Sequence, residues 1–179
     1  MRNSLLSALR VALGVTALAV ASAGAQAGPR IPGSIKEEHE EIHGALVRAG
    51  KAPGRAGAAA RELAKVLHPH FVREEQIALP PLGLLAPLAR GGATPAMRAI
   101  LPMTDSLRAE LPRMLEEHVA IRAATLRMRD AARAERNAEV AELADRLAMH
   151  ARSEEEVLYP AAVLVGDLVR AGARTSSKR

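Results

Sequence analysis

The chain has 179 residues, a formal net charge of +5, no Cys or Trp, and one Phe and one Tyr. That length suits a single domain with a short targeting segment. The scarcity of aromatic residues argues against a β-sandwich or barrel, and the lack of Cys excludes thiolate metal sites and iron–sulfur clusters. Leu, Ile, Val, Met and Ala must build the core, which points to an all-α protein.

Residues 1–27 read as a secretory signal peptide. Arg2 and Arg10 are its only charges, residues 11–21 are apolar, and Ala-x-Ala motifs begin at Ala23 and Ala25. The apolar run is shorter than the roughly 20 residues that span a bilayer. The sequence therefore predicts cleavage after Ala25 or Ala27, export to the periplasm or beyond, and no stable membrane insertion afterwards. Removal of this segment lowers the formal charge from +5 to +3.

Ser34 followed by Glu37 reads as a capping box that opens a first helix ending near Gly50. Residues 51–57 hold Pro53, Gly54 and Gly57 and read as a loop. A second helix is expected over residues 58–78, closed by Pro80 and Pro81, with a kink at Pro69. Residues 82–102 are rich in Gly and Pro and form an irregular crossover. A third helix should begin near Thr104 and Asp105 and run to about Ala134, irregular at Pro112. Asn137 caps a fourth helix that reaches Pro160, with a last short helix over residues 163–171. The domain is thus expected over residues 28–172, as an up-down antiparallel four-helix bundle. Residues 173–179 form a disordered basic tail with no aromatic side chain for base stacking, and no nucleic-acid partner is expected.

Within the bundle the chain repeats itself. Glu37-Glu38-His39-Glu40 is echoed by Glu116-Glu117-His118, and His70-x-x-x-Glu74-Glu75 by His150-x-x-x-Glu154-Glu155. The two His of a copy are 31 residues apart in the first and 32 in the second. Each element also falls on an apolar stripe at spacings of three and four. Ile35, Ile42 and Leu46 flank His39; Leu63, Leu67 and Ile77 accompany His70 and Glu74. Leu107, Leu111, Leu115 and Ile121 flank His118; Val140, Leu143, Leu147 and Val157 accompany His150 and Glu154.

One histidine on an apolar face is ordinarily a core residue bonded to a carbonyl. Two inward carboxylates are different, because an unpaired buried carboxylate costs several kcal/mol or must take up a proton. No Lys or Arg shares their stripes. Two cations would compensate both charges, and a set of four imidazoles and two carboxylates without sulfur favours iron, with manganese or zinc as alternatives. Six protein ligands leave positions open on such a pair for a small molecule.

The pattern resembles the hemerythrin/HHE cation-binding domain family over residues 35–160, most specifically in the two His-x-x-x-Glu-Glu segments that end at Pro80 and Pro160. The resemblance implies a non-haem di-iron centre held by His39, His70, His118 and His150, bridged by Glu74 and Glu154. It pairs His39 with His150 and His70 with His118. Oxygen-carrying members have a five-His centre, with an extra His one turn along the third helix. Here that position is Arg122. The four-His, two-Glu set resembles instead the bacterial proteins that repair stress-damaged iron centres. His43, one turn after His39, is open between a fifth ligand and a surface or supporting role. It also completes His39-Glu40-x-x-His43, the form of a zinc-protease motif, but no third ligand or substrate cleft accompanies it. Tyr159 is open between core packing and a hydrogen bond to a bridging group. Glu75 and Glu155 either orient a histidine or are solvated, and Glu37, Glu38, Glu116 and Glu117 read as solvated.

These readings lead to an exported protein that binds dioxygen, nitric oxide or peroxide at an iron pair for sensing, scavenging or carriage. It is a metal- and ligand-binding protein rather than an enzyme. Iron donation, storage or repair is the alternative, and a bundle with a purely structural metal the lesser one.

Overall fold

The structure, a computed structural model, describes residues 29–176, with side chains as far as Gly172. The expected signal segment 1–27 and residues 177–179 lie outside the described residues. The architecture is all-helical, without strands among the described residues: α1 (Gly33–Gly50), α2 (Gly54–Ile77), α3 (Leu85–Gly91), α4 (Leu101–Ala134), α5 (Ala138–Ser153) and α6 (Tyr159–Ser176). Two tight 3-10 turns, Pro80–Leu84 and Pro95–Ile100, flank α3 in the crossover. None of the described helices is long and apolar enough to cross a membrane.

Side-chain pairs along the bundle fix the directions of its helices. Glu135 at the end of α4 meets Arg55 at the start of α2, whereas Arg73 late in α2 meets Glu110 early in α4. Gly50 pairs with Arg61, Arg133 with Asp145, and Arg146 with Glu41. Neighbouring helices are therefore antiparallel. The short links at residues 51–53 and 135–137 make this necessary, since each leaves room only for a reversal.

Several helix ends differ from expectation for local reasons. α1 begins two residues earlier than the Ser34 capping box requires, so Ser34 lies inside the first turn and makes no cap; the Pro32 carbonyl accepts from Ile35 and Lys36 instead. α2 starts at Gly54, inside the expected loop, because a distant residue caps it. The Glu135 carboxylate accepts from the backbone N–H of Arg55 at 2.6 Å and Ala56 at 3.0 Å. Those are orphan donors of a first turn whose own N-cap, Pro53, has no polar side chain. Gly54 is needed there: its φ is +80°, and a Cβ would fall 2.7 Å from Glu135 Oε1. α4 begins at Leu101 rather than near Thr104, with Pro102 in the first turn, where a missing N–H costs nothing. Both Pro69 and Pro112 lie within continuous helices. Asn137 caps α5 by accepting from Val140 N at 3.2 Å.

The fourth bundle helix does not stop at Pro160. The Tyr159 N–H reaches back five residues to the Glu154 carbonyl, a π-type turn over Glu154–Leu158, and the chain continues as α6 to Ser176. α6 thereby absorbs the separate short helix expected over residues 163–171. This wide turn also overturns one assignment of the apolar stripe. Val157 is 58% exposed, while Tyr159 is fully buried. Leu115 likewise lies at the surface, with Leu111 and Ile35 half-buried at the margin.

The core falls into two apolar clusters with the polar residues between them. One contains Ile42, Leu46, Leu63, Leu67, Ile121, Met128, Leu143 and Leu147, with Phe71 at its edge. The other gathers Ile77, Leu79, Leu82, Leu107, Met114, Tyr159 and Ala162. α6 closes over the second cluster, with Gly166 so near α4 that a Cβ would meet Thr104 Oγ1 at 2.4 Å.

Candidate metal centre

Between the two apolar clusters, α1, α2, α4 and α5 each contribute one buried histidine: His39, His70, His118 and His150. Glu74, one turn after His70, is 0% exposed, and Glu154, one turn after His150, is 1% exposed. The i, i+4 spacing sets imidazole and carboxylate on the same face of one helix, and both apolar stripes turn that face inward.

The donor atoms form two groups that share Glu154. His70, Glu74, His118 and Glu154 make one, and His39, His150 and Glu154 the other, each with its ligand atoms within 4.8 Å of one another. His70 Nε2 and His118 Nε2 are 2.7 Å apart. Each carboxylate presents one oxygen to each histidine pair. Glu74 Oε1 lies 3.3 Å from His70 Nε2, and its Oε2 lies 3.9 Å from His39 Nε2. Glu154 Oε2 lies 3.4 Å from His118 Nε2, while its Oε1 lies 2.9 Å from His150 Nε2 and 3.5 Å from His39 Nε2. Donors about 2.1 Å from one ion and at right angles to each other are about 3 Å apart, so these spacings suit ligation.

Three further carboxylates hold outer nitrogens. His70 Nδ1 donates to Glu117 at 2.8 Å, His118 Nδ1 to Glu155 at 2.8 Å, and His150 Nδ1 to Glu38 at 3.2 Å. Glu75 lies 3.6 Å from His39 Nδ1. Arg113 steadies Glu117 at 2.9 Å, and Arg122 donates to Glu155. Carboxylates on the outer nitrogen fix the tautomer and leave the Nε2 lone pair facing inward, as metal-ligating histidines require. Glu38 and Glu117 are thus not merely solvated. Each precedes a buried histidine by one residue, about 100° round the helix, and so faces the histidine of an adjacent helix.

Electrostatics shows what the arrangement lacks. Burial, reinforced by the nearby charge of Glu154, raises Glu74 above the ordinary carboxylate range. Burial acts the same way on Glu154, but the close imidazoles of His118, His150 and His39 outweigh it and leave that group well below the range. Burial lowers the basicity of His70 and His150, yet Glu74 and Glu154 respectively overcome this and raise each to about 9. Burial also raises the Tyr159 phenol, with Glu74 and Glu154 adding to the effect.

Protonated imidazoles alone can balance the carboxylate charge, but they leave atoms without partners. Both ring nitrogens of His39, Glu74 Oε2, His150 Nε2 and Glu154 Oε1 are buried and make no hydrogen bond. Elsewhere among the described residues only Arg129 Nε shares that condition. Unpaired buried polar atoms are costly, and these converge on one place. The facing lone pairs of His70 and His118 also repel unless something positive lies between them. Cations meet both demands, so the residues fit a metal centre.

His43 lies apart from this cluster. It is exposed, with its ring 5.7 Å from that of exposed His68. It supplies neither a fifth ligand nor an outer partner, and the His39-Glu40-x-x-His43 motif does not form one site. Tyr159, by contrast, lies within the cluster and donates to Glu74. A cleft of about 340 Å³ between α2 and α4 reaches the outer edge of His70 and is lined by Lys65, Arg73, Glu110 and Glu117.

A helical bundle with a buried His/Glu cluster able to hold a metal belongs to the class of metal-binding four-helix proteins. More specifically, the family model described as the hemerythrin HHE cation binding domain matches residues 30–162, and the chain belongs to that family. Comparison with curated proteins gives no match, and comparison with solved structures gives none.

Proposed function

We propose that the chain is an exported di-iron protein that reversibly binds dioxygen, nitric oxide or peroxide. His39 and His150 would hold one iron and His70 and His118 the other, with Glu74 and Glu154 supplying carboxylate oxygens to the pair. The convergence of unpartnered buried atoms of His39, Glu74, His150 and Glu154 carries this reading. A bound iron pair supplies redox chemistry and coordination positions left open by the protein. The chain's own residues do the rest. Glu38, Glu117 and Glu155 orient three of the imidazoles. The apolar clusters on either side exclude bulk water, favouring molecules of two or three atoms. The cleft beside His70 brings solvent near the centre without exposing it.

Metal analysis of the purified protein, followed by dioxygen or nitric oxide addition to its reduced form, tests the reading. About two irons per chain and reversible spectral adducts are expected; a metal-free or zinc-only protein that folds normally refutes it. Iron donation is the second reading, favoured by the four-imidazole set, since Arg122 is engaged with Glu155 where five-His relatives place a ligand. Ready loss of iron to a chelator without a stable adduct would select it.

A further inference from the structure

Tyr159 is the chain's single tyrosine. Its ring is fixed in the apolar cluster of Ile77, Leu79, Leu107 and Met114. Its Oη lies 3.3 Å from His70 Nε2 and 3.2 Å from His118 Nε2, and it donates to Glu74 Oε1. Those three atoms already surround one cation position, with 2.7 Å between the nitrogens and 3.3 Å from His70 Nε2 to Glu74 Oε1. With Glu154 the fourth member of this group, the phenol oxygen stands as a fifth donor, at a similar spacing from both nitrogens.

A hydrogen bond to Glu74 accounts for only one of these three contacts. A phenol has one proton, and Glu74 accepts it. The outer atoms of the two imidazoles keep their hydrogens for Glu117 and Glu155, and one proton shared between the inner nitrogens, 2.7 Å apart, still leaves His118 Nε2 and the phenol oxygen facing each other without a hydrogen. A cation among these atoms would satisfy all three contacts at once, which a single proton does not. The equivalent residue in the other half of the repeat is Leu79, which has no oxygen to offer. The arrangement is thus particular to the His70–His118 position.

We propose that Tyr159 is itself a metal ligand, its phenol oxygen completing the set formed by His70, His118, Glu74 and Glu154. This rests on the di-iron reading above. Ligation forms the oxygen–metal bond as the O–H bond breaks, and the proton leaves to water. The consequence is an unequal pair: one ion closed by a hard oxygen donor, and the His39–His150 ion left with room for an incoming molecule.

The test is reconstitution of the full chain with ferric iron, with bound iron counted and visible and resonance Raman spectra recorded for the wild type and Tyr159→Phe. A tyrosinate-to-iron charge-transfer band with phenolate ring modes is expected in the wild type, with both lost in Tyr159→Phe. With one tyrosine in the chain, the wild-type spectrum decides even if the variant fails to fold. Bound iron without phenolate modes overturns the ligand assignment and leaves the His/Glu centre standing. Modes that persist in Tyr159→Phe also overturn it, and failure to bind iron overturns both readings.

Discussion

Replacing Glu154 with Ala should abolish most of the stabilisation that metal confers. The Glu154 carboxylate lies 2.9 to 3.5 Å from three of the four central imidazoles, so its removal strips an oxygen from both donor groups. A ligand present at a thousandfold excess over its dissociation constant stabilises a fold by about 4 kcal/mol. For a domain of this size each kcal/mol moves Tm by roughly 2–4 °C, giving a metal-dependent rise of about 8–16 °C. Losing even a supporting partner of a ligand weakens affinity by roughly 10–100-fold. Taking a hundredfold loss as a minimum, the rise should shrink to about 3–6 °C at the same free metal concentration. Glu156→Ala is the control. Its carboxylate is two-thirds exposed and meets only Arg152, at 3.7 Å, a pair worth about 0–1 kcal/mol. The assay is differential scanning calorimetry of each variant with metal and after chelation, so that destabilisation of the metal-free fold cancels. Equal metal content and an equal metal-dependent rise in Glu154→Ala and Glu156→Ala would refute the inward role of Glu154.

Glu117→Gln should weaken metal binding by roughly 10–100-fold in chelator competition, because Glu117 holds His70 Nδ1 at 2.8 Å; Glu75→Gln, 3.6 Å from His39 Nδ1 and half exposed, should change it little. Equal losses would contradict the geometry. In the metal-free protein His70 and His150 are raised to about 9 from an ordinary 6.5 by the carboxylates that face them, Glu74, Glu117 and Glu154 for one and Glu38, Glu74 and Glu154 for the other. A raised histidine stabilises the fold fully below its unfolded value and ceases to do so as pH climbs through its folded one. Metal-free Tm should therefore fall between pH 6.5 and 9, while the Tm gain from metal grows as protons cease to compete; parallel trends would sink this. Glu135→Ala uncaps α2 and should cost about 1 kcal/mol of stability without altering metal content, measured by denaturant unfolding and metal analysis.

Legibility in the sequence followed the range of the forces involved. The repeat and the i, i+4 spacing are local, and they placed His39, His70, Glu74, His118, His150 and Glu154 on inward faces where the structure gathers them. The turns between α1 and α2 and between α4 and α5 were readable from Gly, Pro and Asn for the same reason. What lay outside a single helix was not. The cap on α2 comes from Glu135, some 80 residues away, so the helix start was misplaced. Glu38 and Glu117 gain their roles from histidines on adjacent helices, and a one-helix wheel shows them only as solvated. A possible signal was their recurrence one residue before each first histidine. Val157 was placed on the inner stripe wrongly because a 3.6-residue period assumes an uninterrupted α-helix, and the π-type turn after Glu154 breaks it.

That turn also explains why two similar halves need not make two similar sites. In both copies the backbone N–H five residues after the inward glutamate bonds to its carbonyl: Leu79 to Glu74, and Tyr159 to Glu154. The first copy then stops at Pro80 and Pro81 and enters the crossover, whereas the second continues through Pro160 into α6. The same backbone device thus delivers residue 79 and residue 159 to the interior, one aliphatic and one phenolic. The histidines and glutamates are duplicated, but the side chain at 79 and 159 is not, and the difference falls where His70 meets His118. π-type turns are a recurrent means of bringing side chains into functional sites. With the proposed ligation, the turn would convert a difference within a repeat into chemical inequality between two metal positions.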